Sequence, residues 1–135
     1  MAVPTTAIIA NYNGADYLAR CVSSFREQTT PFTEIMVVDA GSTDGSPEMI
    51  HDGSVSVDVY IQDDNRGYGA ALNLGMQQAQ GEIVVFSNID LTLDPNWLAA
   101  VHEQFEEHPK CGLVASKILY MDEPQRINST GMLFY

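Results

Sequence analysis

Short apolar runs of β type alternate along this chain with longer stretches in which apolar residues recur at helical spacing. Residues 6–10 predict a first strand, ended by the turn formers Asn11, Tyr12, Asn13 and Gly14. Tyr17, Leu18, Cys21, Val22 and Phe25 form a helical stripe within 16–28, and Pro31 stops it. Residues 34–39 read as a second strand, apolar on both faces at its centre, as buried parallel strands are. A loop over 41–46 follows, and Ser46-Pro47 is expected to cap and open a short helix. Residues 55–61 alternate apolar and polar positions, which predicts a strand near a sheet edge. Ala71, Leu72, Gly75, Met76 and Ala79 share one face of a helix expected over 68–80, closed by Gly81. A fourth strand over 82–87, a helix from Asp94-Pro95 to His108 and a further strand over 112–118 complete the pattern.

This alternation predicts an α/β fold: a mostly parallel open sheet with helices on both faces. No linker, repeat or low-complexity segment divides residues 1–135, so one domain is expected. In open sheets of this kind, ligands sit beyond the carboxyl ends of the strands. Those ends carry Asn11-Tyr12-Asn13, Asp39-Ala40-Gly41-Ser42, Asp63-Asp64-Asn65 and Asn88-Ile89-Asp90. Four polar tips are thus expected on one side of the sheet.

Charge narrows the chemistry. Six Lys and Arg against 18 Asp and Glu leave a net charge of -12, which excludes a basic nucleic-acid footprint and charge-driven docking on anionic lipid. No run of about 18 apolar residues is present, and the first residues lack a secretory leader pattern, so a cytoplasmic protein is expected. Cys21 and Cys111 stand far apart with no metal-ligand spacing and read as reduced thiols.

Tips rich in Asp, Asn and Gly suit a nucleotide held with a metal ion. Asp39 can accept from a base imide and a ribose hydroxyl; the same Asp39-Ala40-Gly41-Ser42 also suits a plain turn and helix cap. Asn88 and Asp90 offer hard oxygen ligands for Mg²⁺ or Mn²⁺, although an N-x-D pattern alone is also a common turn. Such an ion answers a specific need. A carboxylate about 4 Å from a phosphate oxygen repels it by roughly 4 kcal/mol at an effective dielectric near 20, and a divalent cation between them reverses the sign. Gly67-Tyr68-Gly69 begins like a dinucleotide fingerprint but has Leu72 where the third Gly belongs, and 41–46 lacks a Walker ending. Asn128-Ser129-Thr130 matches a glycosylation acceptor without a secretory context. His51, His102 and His108 are expected at the surface, Trp97 against the sheet, and Met36, Met49 and Met76 as core filler.

Taken in order, four segments resemble a known family: residues 7–14 (AIIANYNG), 35–46 (IMVVDAGSTDGS), 65–75 (NRGYGAALNLG) and 81–90 (GEIVVFSNID). They are similar to the family 2 glycosyltransferases of GT-A fold, over most of the chain to about Ser116. The resemblance implies a nucleotide-diphospho-sugar donor (UDP, dTDP or GDP), a divalent cation, and inverting transfer to a saccharide or lipid-linked acceptor. Carried over by motif, Asn11, Tyr12 and Asn13 line the nucleotide pocket, and Asp39 binds base or ribose with Ser42 and Asp44 nearby. Arg66 and Gly67 fall beside the base and diphosphate, and Asn88 and Asp90 occupy the D-x-D position with Asp90 the stronger metal ligand.

Two departures stand out. Asn88 replaces the first D-x-D carboxylate, which looks like the rhamnosyltransferase-like branch and points to dTDP-rhamnose as one donor. The family's acceptor half, with its catalytic base, lies beyond the matched segment, and Asp122 and Glu123 do not sit in that motif, so no base is named. The chain is therefore expected to be a truncated, donor-binding half. It would be completed by a partner chain or a missing C-terminal half, with an exposed apolar face where that half packs. A binding module without turnover is the alternative. A sugar nucleotidyltransferase is disfavoured because Asn11-Tyr12-Asn13-Gly14 stands where its basic Gly-rich loop belongs.

Overall fold

The apolar runs pair as a parallel four-stranded sheet in a computed structural model that describes residues 3–130. The elements are β1 (Thr5–Asn11), α1 (Ala15–Arg26), β2 (Glu34–Asp39), α2 (Ser46–His51), β3 (Val59–Gln62), α3 (Tyr68–Met76), β4 (Ile83–Asn88), α4 (Trp97–Glu107), β5 (Ile118–Leu119) and β6 (Ile127–Ser129). The strand order is β3-β2-β1-β4, which places β3 at an edge as its alternation predicted. The chain divides into two compact units, Met1–Ala100 and Val101–Tyr135, with the dividing point inside the α4 range.

In the first unit, β2 is buried along its whole length. On one sheet face Ile8, Met36 and Val38 pack with Ala71 of α3. Gly75 lets α3 come this close, because a Cβ there would lie 2.6 Å from Ile8 Cγ2. Ala7, Ile9, Ile35 and Val37 alternate onto the other face and are also fully or almost fully buried. α1 buries Leu18, Cys21, Val22 and Phe25 of the stripe read from sequence, whereas Tyr17, expected on the same face, is exposed. Burying a stripe of this kind contributes roughly 1.5–3 kcal/mol for each large side chain.

Register then places the tips. Asn11 pairs with Asp39, Ala10 with Asn88, and Asp39 with Gln62, so the carboxyl ends of all four strands share one rim. The pattern misled in places. α3 ends at Met76 rather than Gln80, and Met76 is 51% exposed rather than core. His102 is buried rather than at the surface. Ser46 is the first residue of α2, and Gly45, in left-handed backbone, is its N-cap.

In the second unit β5 and β6 form a short antiparallel pair, Leu119 opposite Ile127. Arg126 lies 4.6 Å from the centre of the Tyr120 ring. Residues 112–117 form no strand; pairing begins at Ile118. Leu113, Leu119, Met121 and Ile127 are exposed.

Candidate functional site

Two loops are bound together at the rim. The turn from β1 to α1 and the loop from β2 to α2 share hydrogen bonds centred on Asn11, whose Nδ2 donates to Asp39 Oδ2 (2.6 Å), Ser46 Oγ (2.9 Å) and Ser42 Oγ (3.2 Å). Two hydrogens serve three acceptors, so the longest contact shares one. Asn13 adds a second tie: its backbone N–H donates to Ser42 Oγ (2.8 Å) and its Oδ1 accepts from Thr43 N–H (2.9 Å). These bonds hold Asn13 in left-handed backbone (φ 51°), a conformation Asn tolerates better than most residues. Asp44 makes the third tie. Its Oδ2 accepts from Ala15 N–H at the start of α1, and its Oδ1 from the Ser46 hydroxyl and N–H.

Asp39 is an organiser as well as a tip. It is 0% exposed, and its Oδ1 accepts from the Gly41 and Ser42 N–H groups (3.0 and 2.8 Å), shaping the loop around itself. Partial burial acts to raise the Asp44 pKa, but bonds from the Ser46 hydroxyl and the Ala15 and Ser46 amides outweigh it and hold this carboxyl below its usual range. Asn11 Oδ1 is buried without a hydrogen-bond partner. It lies 2.4 Å from where a Gly14 Cβ would stand, so Gly14 is required by close approach.

On the other side of β1 an open cleft of about 320 Å³ lies against the β4 tip, lined by Ala10, Tyr12, Asn13, Gly14, Tyr17, Tyr68, Asn88, Ile89 and Asp90. Tyr12, Tyr17 and Tyr68 are exposed despite their large apolar rings. Burial, then the nearby Asp90 charge, raises the Tyr68 pKa, which marks phenol and carboxylate as electrostatic neighbours. Exposed aromatic faces beside a carboxylate and an amide suit a ring carrying hydroxyls or a base. Asn13 borders both regions, joined to the Ser42 loop and facing the Asp90 cleft.

Arg66 lies in the loop after β3, its guanidinium bonded to Asp63 through Nε (3.1 Å) and Nη2 (2.7 Å). Gly67 (φ 95°) is the N-cap of α3. A Cβ on Gly41 would stand 3.5 Å from Asp63 O and 3.7 Å from Asn65 N, so this loop runs beside the β2 tip.

Among the described residues no three His, Cys, Asp or Glu side chains converge as a metal cage. Asp90 and Asn88 are exposed on the rim, and one carboxylate with one amide oxygen matches an Mg²⁺-like ion that takes its other ligands from phosphate and water. The donor set fits an ion arriving with a diphosphate.

A sequence model of glycosyl transferase family 2 matches residues 6–132. The chain belongs to glycosyl transferase family 2. An uncharacterized glycosyltransferase of Nostoc sp. is 36% identical over 112 residues, 81% of this chain and 35% of that protein. The family 2 chain thus spans about a third of that relative. S. aureus TarS superposes with a TM-score of 0.69 at 26% identity, covering 78% of this chain and 20% of TarS. Mannosyltransferase PcManGT from Pyrobaculum calidifontis, solved with GDP-Man and Mn²⁺, gives 0.73 at 25% identity, covering 89% and 36%. The fold is that of the GT-A glycosyltransferases. No helix among the described residues is long and apolar enough to cross a membrane.

Eight of the ten site residues named from sequence fall in two neighbouring groups on this rim, while Arg66 and Gly67 belong to neither and lie in the loop before α3. Asn11, Asn13, Asp39, Ser42 and Asp44 form the bonded loops; Tyr12, Asn88 and Asp90 line the cleft with Asn13. Ser46 was read only as a cap, yet it is 0% exposed and bridges Asn11 to Asp44. Tyr17, Tyr68 and Ile89 were also missed as cleft walls. Their signal is weak, because a helical Tyr reads equally well as core.

Proposed function

We propose that the family 2 chain binds a nucleotide-diphospho-sugar at this rim and is the donor-binding portion of an enzyme that transfers the sugar, with inversion, to an acceptor hydroxyl. The carrying observation is the tied pair of loops beside the Asp90 cleft, where Asn13 faces both regions. Asn11, Asp39, Ser42 and Asp44 shape the wall that meets base and ribose. Tyr12, Tyr17 and Tyr68 give the cleft flat apolar faces for a sugar or base. Asp90, with Asn88, would hold Mg²⁺ or Mn²⁺, which when bound neutralises the diphosphate and stabilises it as leaving group. Arg66 supplies the one Lys or Arg side chain between residues 27 and 109, and donates to the same diphosphate. UDP, dTDP and GDP are the candidate nucleotides, with dTDP-rhamnose favoured by Asn88, and the donor is expected in the cytoplasm.

Attack on the anomeric carbon requires the acceptor hydroxyl to lose its proton to a base. Asp122 and Glu123 are exposed in the second unit, and Glu123 is paired with Arg126, so neither is assigned that role. The base is placed in a C-terminal half or partner chain, for which the exposed Leu113, Leu119, Met121 and Ile127 offer apolar surface. A nucleotide-sugar-binding module without turnover is the second reading, kept because the two carboxylates nearest the end of the described residues, Asp122 and Glu123, are exposed and neither is assigned as the base. Isothermal titration with UDP, GDP and dTDP, each with Mn²⁺, tests binding; silence with all three would count against both readings. Sugar transfer or donor hydrolysis by this chain alone would exclude the second.

A further inference from the structure

We propose that Asp63 is a positioning residue that acts through Arg66, holding one edge of its guanidinium so that the opposite edge is presented to the donor diphosphate. This rests on the nucleotide-sugar reading above. Asp63 is the anchored partner: its side chain is 12% exposed against 60% for Arg66, and its N–H donates to Asp39 O (2.8 Å). A Cβ on Gly41 would stand 3.5 Å from the Asp63 backbone carbonyl, so the Asp63 backbone lies beside the β2 tip. The two bonds, Nε to Oδ2 and Nη2 to Oδ1, run side by side in the fork geometry that restricts a guanidinium. Of the five N–H donors of Arg about three remain, and none has a partner among the described residues. The bond from Arg66 holds the Asp63 carboxyl below its usual range, so both partners stay charged at neutral pH.

Asp63 could act on an anionic ligand in two opposed ways. Its charge cancels part of the Arg66 field, which weakens attraction. Its clamp removes freedom that a long, exposed Arg would otherwise lose on binding, which strengthens it. An exposed pair of this kind adds little to folding stability, so orientation is the more informative consequence.

The test is a double-mutant cycle read by isothermal titration with Mn²⁺ and whichever of UDP, GDP and dTDP binds the unsubstituted chain. Asp63→Asn keeps the shape and removes one negative charge; field alone predicts tighter binding, whereas positioning predicts a loss of roughly tenfold. In an Arg66→Ala background the same substitution should produce no further loss, and Asp63→Glu should recover part of the affinity. Binding by Asp63→Asn as tight as that of the unsubstituted chain, or an equal loss in both backgrounds, overturns the proposal while leaving the nucleotide reading intact. Absence of binding by the unsubstituted chain overturns both.

Discussion

Asn11 Nδ2 lies 2.6 Å from Asp39 Oδ2, across two adjacent strand ends whose register sets the residues side by side. Asn11 is 1% exposed and Asp39 is fully buried, so neither can exchange this partner for water without opening the rim. Asn11→Ala leaves a buried carboxylate oxygen without this donor and should cost about 1–3 kcal/mol. Asn11→Asp, which faces carboxylate with carboxylate, should cost more. Urea denaturation measures both. An Asn11→Ala variant as stable as the unsubstituted chain would show that the carboxylate is satisfied from elsewhere.

Gly14→Ala is a purely steric test. The backbone there has φ of -103°, open to any residue, yet the new Cβ would stand 2.4 Å from Asn11 Oδ1 and 2.8 Å from Ile89 Cγ1. Relief must move Asn11 or the β4 tip, so a loss of about 1–3 kcal/mol and weaker nucleotide binding are expected together. A thermal melt and a titration on the same sample decide whether the two losses coincide.

The acid limb of the stability curve should depend on Asp44. Its folded pKa is lowered from 3.8, so its contribution is fully present above that value and is lost as pH falls through the lower, folded one. Melting temperature against pH should therefore fall below about pH 4 in the unsubstituted chain and fall less in Asp44→Asn. An identical acid limb in both would remove Asp44 from the tie between the loops.

Burial, then the Asp90 charge, pushes the Cys21 thiol up to about 12, against a smaller opposing effect of Arg20. At pH 8 it is a thiol, a poor nucleophile. Mass-resolved alkylation of the native chain should leave Cys21 unmodified until denaturant is added. Rapid labelling without denaturant would show that α1 opens away from the sheet.

The sheet was legible because β2 carries a continuous apolar run, Ile35 to Val38, which suits a strand buried on both faces. The tips followed from it, since parallel strands place their carboxyl ends together. What stayed hidden is non-local. Ser46 looks like a cap from its neighbours, and its inward role depends on Asn11, 35 positions away. Residues 112–117 have strand-like apolarity but no ladder, because pairing requires a partner that local pattern does not reveal. The helical period runs to Ala79, but the chain must turn after Met76 to enter β4, and the Gln78 and Ala79 N–H groups both close on Gly75 O.

Paramagnetic broadening tests the central claim most directly. With isotope-labelled chain and a trace of Mn²⁺ alongside saturating nucleotide diphosphate, the amides of residues 88–90 and 12–14 should broaden first. The same trace of Mn²⁺ without nucleotide should leave them sharp. Broadening elsewhere on the chain, or the same broadening without nucleotide, would contradict a metal-bridged diphosphate held between the β1 and β4 tips.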